Sequence, residues 1–295
     1  MKVAKELLKA VLNKFPWYVQ DYLLYTVKFK RLPNMKNPKY FNEFILRRKH
    51  FQSNDERFSL LADKIRVREF ISSQIGNSYL IPLLYTFDSG DELRGVKDLS
   101  NVVVKPNHGA GMVRIIKSVL SNNEISTLIF ECDSWLKKDF SSVAREIHYK
   151  YIRPKIMVES LLGDGNASLT DYKFHMFNMG NGEFDFVLQV INDRFSGALS
   201  RQFFVNGFTE CYHENGKSGY DISDKVEVLK RILELNKILA SDFNYVRIDW
   251  YVIDNVPFFG EMTFTPVAGL GTGYGDSLDL LMGQFWLKTE EVEII

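Results

Sequence analysis

Residues 246–252 alternate apolar and polar side chains. Val246, Ile248, Trp250 and Val252 fall on one face of a strand, and Arg247, Asp249 and Tyr251 on the other. Residues 258–264 repeat the pattern, with Phe258, Met262 and Phe264 on one face and Phe259, Glu261 and Thr263 on the other. Pairing Val252 with Phe258 around a five-residue loop at 253–257 predicts a hairpin. In that register Asp249 stands directly opposite Glu261.

Upstream, β-branched and alternating stretches predict strands over 102–105, 113–116, 155–159, 171–178 and 184–191. The turn Gly180-Asn181-Gly182 joins the last two. Helical spacing predicts helices over 3–30 with a break at Pro16, and over 42–51, 60–75, 125–138 and 224–240, with Gly76 stopping the third. After residue 100 strands outnumber helices, mostly as antiparallel hairpins, so the expected fold class is α+β.

Composition adds limits. No stretch of the 295 residues approaches the roughly 20 uncharged apolar positions of a bilayer span. Lys5, Glu6 and Lys9 interrupt the first apolar stretch, which reads as an amphipathic helix and not as a secretory signal. Cys132 and Cys211 have no Cys or His at ligand spacing, so a disulfide framework or zinc site is not expected, and a reducing cytoplasm is.

Net charge is zero, but residues 1–50 hold twelve Lys/Arg and three Asp/Glu, a local +9. That skew suits a polyanionic partner: a phosphate-rich substrate, an anionic membrane face or nucleic acid. A solvated basic face without a partner fits equally. Trp17, Tyr18, Tyr22, Tyr25 and Lys28 read either as a membrane-touching stripe or as a helix packed on its own domain.

The hairpin carries candidate chemistry. Opposed residues in an antiparallel pair have Cβ atoms about 4.5–5.5 Å apart, and two carboxylates that close repel. A Mg²⁺ ion between them would relieve this, since it takes oxygen ligands from one or two carboxylates plus substrate phosphates. Arg247 on the same face could do so instead as a structural salt bridge. Both readings stay open on the hairpin alone.

A second piece is Lys105, at the end of a buried strand and followed by Pro106-Asn107-His108-Gly109-Ala110-Gly111. Glycines let a backbone approach phosphate closely, and a lysine beside them supplies charge. A plain tight turn explains the glycines as well, and no GxxxxGK[ST] loop is present. Serine-hydrolase chemistry has no GxSxG support.

Taken in order, Asp63-Lys64, VVVKPNHGAG at 102–111, IMVES at 156–160, RID at 247–249 and GEMTF at 260–264 resemble the ATP-grasp enzymes. FNE at 41–43, LADKIRVREF at 61–70, DYKFHMFN at 171–178, NDRF at 192–195 and VRIDWY at 246–251 narrow the resemblance. They are similar to the TupA-like ATP-grasp family, which is associated with teichuronopeptide, capsule and O-antigen synthesis. It covers residues 37–285.

The resemblance implies two α+β subdomains that grip ATP, with a helical segment at 1–58, a lid subdomain at 59–158 and a core subdomain with the Mg²⁺ site at 159–295. Lys64 and Lys105 would meet ATP phosphates, with the 107–111 loop, Gly109 and Gly111 in it, as a mobile lid over them; His108 reads either as a further phosphate contact or as a cap of that loop. Glu159 and the backbone of Ser160 to Leu162 would meet adenine, and Asp171 the ribose. Asp249 and Glu261, with Thr263, would hold Mg²⁺. Arg247 and Lys173 would face the transferred phosphoryl group, and Arg194 and Arg201 would border the acceptor. Many ATP-grasp enzymes carry Asn where Thr263 stands, so the second metal would be more weakly held.

The implied activity is a carboxylate–amine ligase in surface polysaccharide biosynthesis, joining an amino acid to a uronic acid. A glycosyltransferase or sugar kinase of the same pathway is the alternative, although no DxD motif is present. A non-catalytic nucleotide-binding or scaffold protein is the third. The expected partners are a glycan-precursor carboxylate and an amine, with no nucleic acid. The expected place is the cytoplasm, peripherally at the inner membrane face or with a polysaccharide assembly complex.

Overall fold

Two antiparallel sheets carry the strands. The computed structural model describes residues 12–163, 169–192, 200–209, 211–213 and 220–291. The smaller sheet has β1 (Leu83–Phe87), β2 (Val102–Pro106), β3 (Arg114–Ile116) and β4 (Ile156–Ser160), in the order β1-β4-β2-β3. The larger has β5 (Asp171–Gly180), β6 (Glu183–Asn192), β7 (Ser200–Val205), β8 (Cys211–His213), β9 (Tyr245–Ile253) and β10 (Val256–Thr263), in the order β10-β9-β5-β6-β7-β8. The α+β expectation holds.

Eight helices are described: α1 (Trp17–Phe29), α2 (Phe41–Phe51), α3 (Glu56–Ala62), α4 (Val67–Ile75), α5 (Asn122–Leu136), α6 (Phe140–Ala144), α7 (Val226–Leu239) and α8 (Gly275–Thr289). In the small sheet Val102, Val104, Ile156 and Val158 are buried in one cluster with Leu128, Ile129 and Cys132 of α5. Alternation then puts Lys105 and Glu159 on the opposite face.

The large sheet is covered on both faces. Phe174, Met176, Leu188, Ile248 and Trp250 pack with Leu229 and Ile232 of α7. Phe177, Val187, Phe203 and Tyr245 pack with Phe41 and Phe44 of α2 and with Met282 and Trp286 of α8. Gly283 lets α8 sit close to the chain before α2: a Cβ there would stand 2.0 Å from the Lys39 carbonyl oxygen.

Three expectations change. The helix expected over 60–75 is two helices, because the short side chain of Asp63 competes for backbone amides. Its Oδ1 accepts from the amides of Ile65 (2.9 Å) and Arg66 (3.3 Å), which ends α3 and starts α4 with Lys64 between them.

The β9–β10 turn is two residues, not five. Asp254 and Asn255 both sit at positive φ (49° and 61°), the geometry of a tight hairpin turn, and Val252 pairs with Pro257. A bulge between Phe259 and Glu261 then restores the expected pair, Asp249 opposite Glu261. The bulge also places Phe259, opposite Trp250, in the apolar core and not beside Glu261.

β1, β7, β8 and α8 were not expected. α8 begins at Gly275, after Gly269, Gly271 and Gly273.

Candidate active site

β5, β9 and β10 lie side by side and present two polar rungs. Lys173 pairs with Asp249, which pairs with Glu261; His175 pairs with Arg247, which pairs with Thr263. The rungs are wired together. Arg247 Nε donates to Asp249 Oδ1 (2.7 Å), and its Nη2 donates to Asp249 Oδ2 (2.9 Å), Glu261 Oε1 (3.0 Å) and Thr263 Oγ1 (3.1 Å). Lys173 Nζ donates to Asp249 and stands 3.4 Å from Asp171 Oδ1.

Burial and charge pull the two opposed acids apart. Burial pushes Asp249 up, only partly offset by Arg247 and Lys173. Burial would also raise Glu261, but Lys64, Arg247 and Lys173 together hold it well below the usual carboxylate range. Burial acts to lower Arg247, yet Asp249 and Glu261 reverse this and keep its guanidinium firmly charged.

The small sheet brings a second charged group. Lys105 Nζ is 2.5 Å from Glu159 Oε2, and Arg68 Nη1 of α4 is 3.3 Å from Glu159 Oε1. The amides of Ser160 and Leu161 donate to the carbonyls of Pro82 (3.0 Å) and Asn101 (2.9 Å), which ties the end of β4 to the chain leading into β1 and β2. Leu162 follows in the chain, partly buried.

Lys64 joins the two halves. Its Nζ donates to the Gly109 carbonyl (2.8 Å) and stands 3.6 Å from Glu261 Oε2. The glycine loop is rooted by Asn107, which is buried. Asn107 Nδ2 donates to Asp63 Oδ1 (2.9 Å) and the Arg153 carbonyl (3.1 Å), and its Oδ1 accepts from the Lys155 amide (2.8 Å).

Gly109 and Gly111 have φ of 77° and 75°. At Gly109 a Cβ would also lie 2.5 Å from the Phe140 ring. His108 is turned inward: it is 2% exposed, and its Nε2 lies 3.3 Å from the Lys138 carbonyl. Burial lowers its pKa, against the pull of the Lys138 carbonyl.

Among the expected residues, then, Lys64, Lys173, Arg247, Asp249, Glu261 and Thr263 converge, Asp171 borders them, and Lys105 pairs with Glu159. Arg201 lies on β7 opposite Ile191. Arg194 lies outside the described residues. Asp63 and Arg68 were missed, and Asn107 was expected only as part of the 107–111 loop; the DK and KPN steps beside Lys64 and Lys105 were the available signal.

Among the described residues no group of three or more His, Cys, Asp or Glu side chains could hold a metal. The donor set at the hairpin is two carboxylates and a hydroxyl. Such an all-oxygen set fits Mg²⁺ whose remaining ligands come from phosphate and water.

The model of the family described as TupA-like ATPgrasp matches residues 43–287. A search of curated protein sequences found no match. Solved structures with a similar chain path include D-alanine–D-alanine ligase from Helicobacter pylori, 15% identical, with a TM-score of 0.48 over 79% of this chain and 62% of that one. VanG D-Ala:D-Ser ligase from Enterococcus faecalis is 15% identical, with a TM-score of 0.43 over 79% and 62%. Biotin carboxylase from Campylobacter jejuni is 12% identical, with a TM-score of 0.45 over 79% and 47%. The chain spans about three fifths of the length of the first two. The family match covers most of the chain and includes Lys64, Lys105, Asp249 and Glu261, and on it the chain belongs to the TupA-like ATP-grasp family.

Proposed function

We propose that this protein is an ATP-dependent carboxylate–amine ligase of surface polysaccharide biosynthesis, joining an amino acid to a uronic acid carboxylate in the cytoplasm. The observation that carries the reading is the position of Lys64, in contact with both the glycine loop and Glu261. One ammonium thereby marks a place where phosphate can meet the loop amides and the hairpin carboxylates together.

In the reaction a carboxylate oxygen attacks the γ-phosphorus of ATP and ADP leaves. The amine then attacks the acyl carbon, loses a proton, and inorganic phosphate departs. No protein nucleophile is needed, so catalysis rests on placement and charge. Lys64 and Lys105 bind phosphate oxygens. Glu159 and the 160–162 backbone border adenine, and Asp171 the ribose. Lys173 and Arg247 neutralise the phosphoryl group in flight. Mg²⁺ held by Asp249 and Glu261, with Thr263, would neutralise charge on the phosphates.

The test is ADP and phosphate release from Mg·ATP across a panel of uronic acids and amino acids, with the product weighed by mass spectrometry. A product that is the sum of the two substrates less one water supports the ligase. A sugar phosphate without an amide would establish the kinase reading instead. Asp249→Asn should lower kcat about 10³-fold, the scale of losing one preorganised charge contact, with the circular dichroism spectrum intact. An unchanged rate in Asp249→Asn would remove the metal assignment.

A further inference from the structure

Helix α1 (Trp17–Phe29) packs Tyr25 inward against Leu46 and Leu270 and still carries apolar side chains on its outer face. Its polar side chains Gln20 and Asp21 are buried, while Tyr18, Leu23 and Val27 are exposed, Val27 at 78%. Asp21 is consumed internally, by Lys49, by His50 at 2.8 Å and by Arg145 at 2.5 Å. A helix has 3.6 residues per turn, which places Tyr18, Val19, Tyr22, Leu23, Thr26 and Val27 on one arc. That arc holds no charge. Phe15 before the helix and Leu32 after it are exposed too.

The charges around the arc are of one sign. Lys14 before the helix, and Lys30 and Lys36 after it, are exposed; Lys28 lies on the inner side, where its Nζ donates to the Leu270 carbonyl (3.1 Å). The acids of residues 12–51 are Asp21 and Glu43, and both are buried. Glu43 is spent on the amides of Asn34, Lys39 and Tyr40. The exposed carboxylate nearby, Asp276, is 2.7 Å from Arg31. An apolar strip with two tyrosines and a lysine border matches the boundary of an anionic bilayer, where apolar groups enter the acyl region and ammonium groups meet headgroups. A free polyanion would use the lysines but leave Leu23 and Val27 in water.

We infer that the outer face of α1 docks this protein peripherally on an anionic lipid membrane. The inference is independent of the ligase reading. No described helix is long and apolar enough to cross a membrane, so the contact is at the surface.

The test is flotation of the full-length protein with phosphatidylcholine vesicles, with and without phosphatidylglycerol, at low and high salt. Two or three lysines near the surface should give a preference for anionic vesicles of at least about thirtyfold, lost at high salt. Leu23→Glu combined with Val27→Glu should weaken binding at least about tenfold, since both side chains leave the acyl boundary, with the melting temperature unchanged. Several outcomes overturn the inference: no binding by the wild type, equal binding to neutral vesicles, or unchanged binding by the double variant. A wild-type dimer that the double variant dissociates, with no lipid binding, would assign the face to a second copy. Polyphosphate binding that the double variant keeps, without vesicle binding, would assign it to a soluble polyanion.

Discussion

The two sheets of this protein treat their second faces differently. In the large sheet both faces are covered, and β5 is buried along eight consecutive residues, Asp171 to Asn178. In the small sheet α5 covers one face, and β1 has a mostly exposed run, with Leu84 45% and Tyr85 44% exposed. Charged groups follow suit. Lys173, Arg247 and Asp249 are buried and bonded to one another, whereas Lys105 is partly open and meets Glu159 at a single point. The large sheet is thus a mount covered on both faces with buried charges, and the small sheet a lighter plate with one face less covered.

The comparison can be broken by substitution. Phe174→Ala, at the centre of β5 and fully buried, should cost about 3–5 kcal/mol in urea unfolding. A cost under about 1 kcal/mol would show that the mount is loosely packed.

The next effect concerns the junction of the two sheets. Glu146, between β3 and β4, meets the hydroxyl of Thr265, just after β10. Burial pushes Glu146 up to about 7, against opposing pulls from Lys49, Thr265 and Arg145. A raised carboxyl pKa favours the protonated form, so this contribution to stability is full below the ordinary carboxyl pKa and is lost as pH rises through about 7. Glu146→Gln removes that loss. Between pH 4.5 and 7 the difference in unfolding free energy should move in the variant's favour by up to about 3 kcal/mol; parallel pH curves would show that Glu146 ionises freely.

Smallest of all, Leu84→Thr on β1 should change stability by no more than about 0.5 kcal/mol, and a larger loss would mean that the exposed run is packed.

Much of the hairpin was legible because its two faces differ so sharply in chemistry. Asp249 and Glu261 come out opposed as expected, though by another route: a shorter turn and a one-residue bulge cancel. The signal for the turn was Asp254-Asn255, two residues that tolerate positive φ, but the apolar run on either side hid it.

Other features were illegible for physical reasons. Periodicity treats a charged residue as a surface residue, so it could not show that Asp21, Glu146 and Lys49 are inside, each meeting chain distant in sequence. Nor could it separate α3 from α4, because the break depends on Asp63 binding backbone amides and on Asn107 arriving from another sheet. The inward turn of His108 was hidden for the same reason: its neighbours in the loop include Gly109, but its neighbour in space is the Lys138 carbonyl.

The bulge has one more implication. Gly260 has no partner of its own in the ladder: Phe259 faces Trp250 and Glu261 faces Asp249. A chain lacking Gly260 would keep every cross-strand pairing. The residue therefore sets direction and not correspondence. A bulge bends its strand and sharpens the local twist, and the backbone comes so close here that a Cβ would stand 3.0 Å from the Asp249 carbonyl oxygen. Gly260 fixes the angle at which Glu261 and Thr263 leave the strand, a rotation with no change of address.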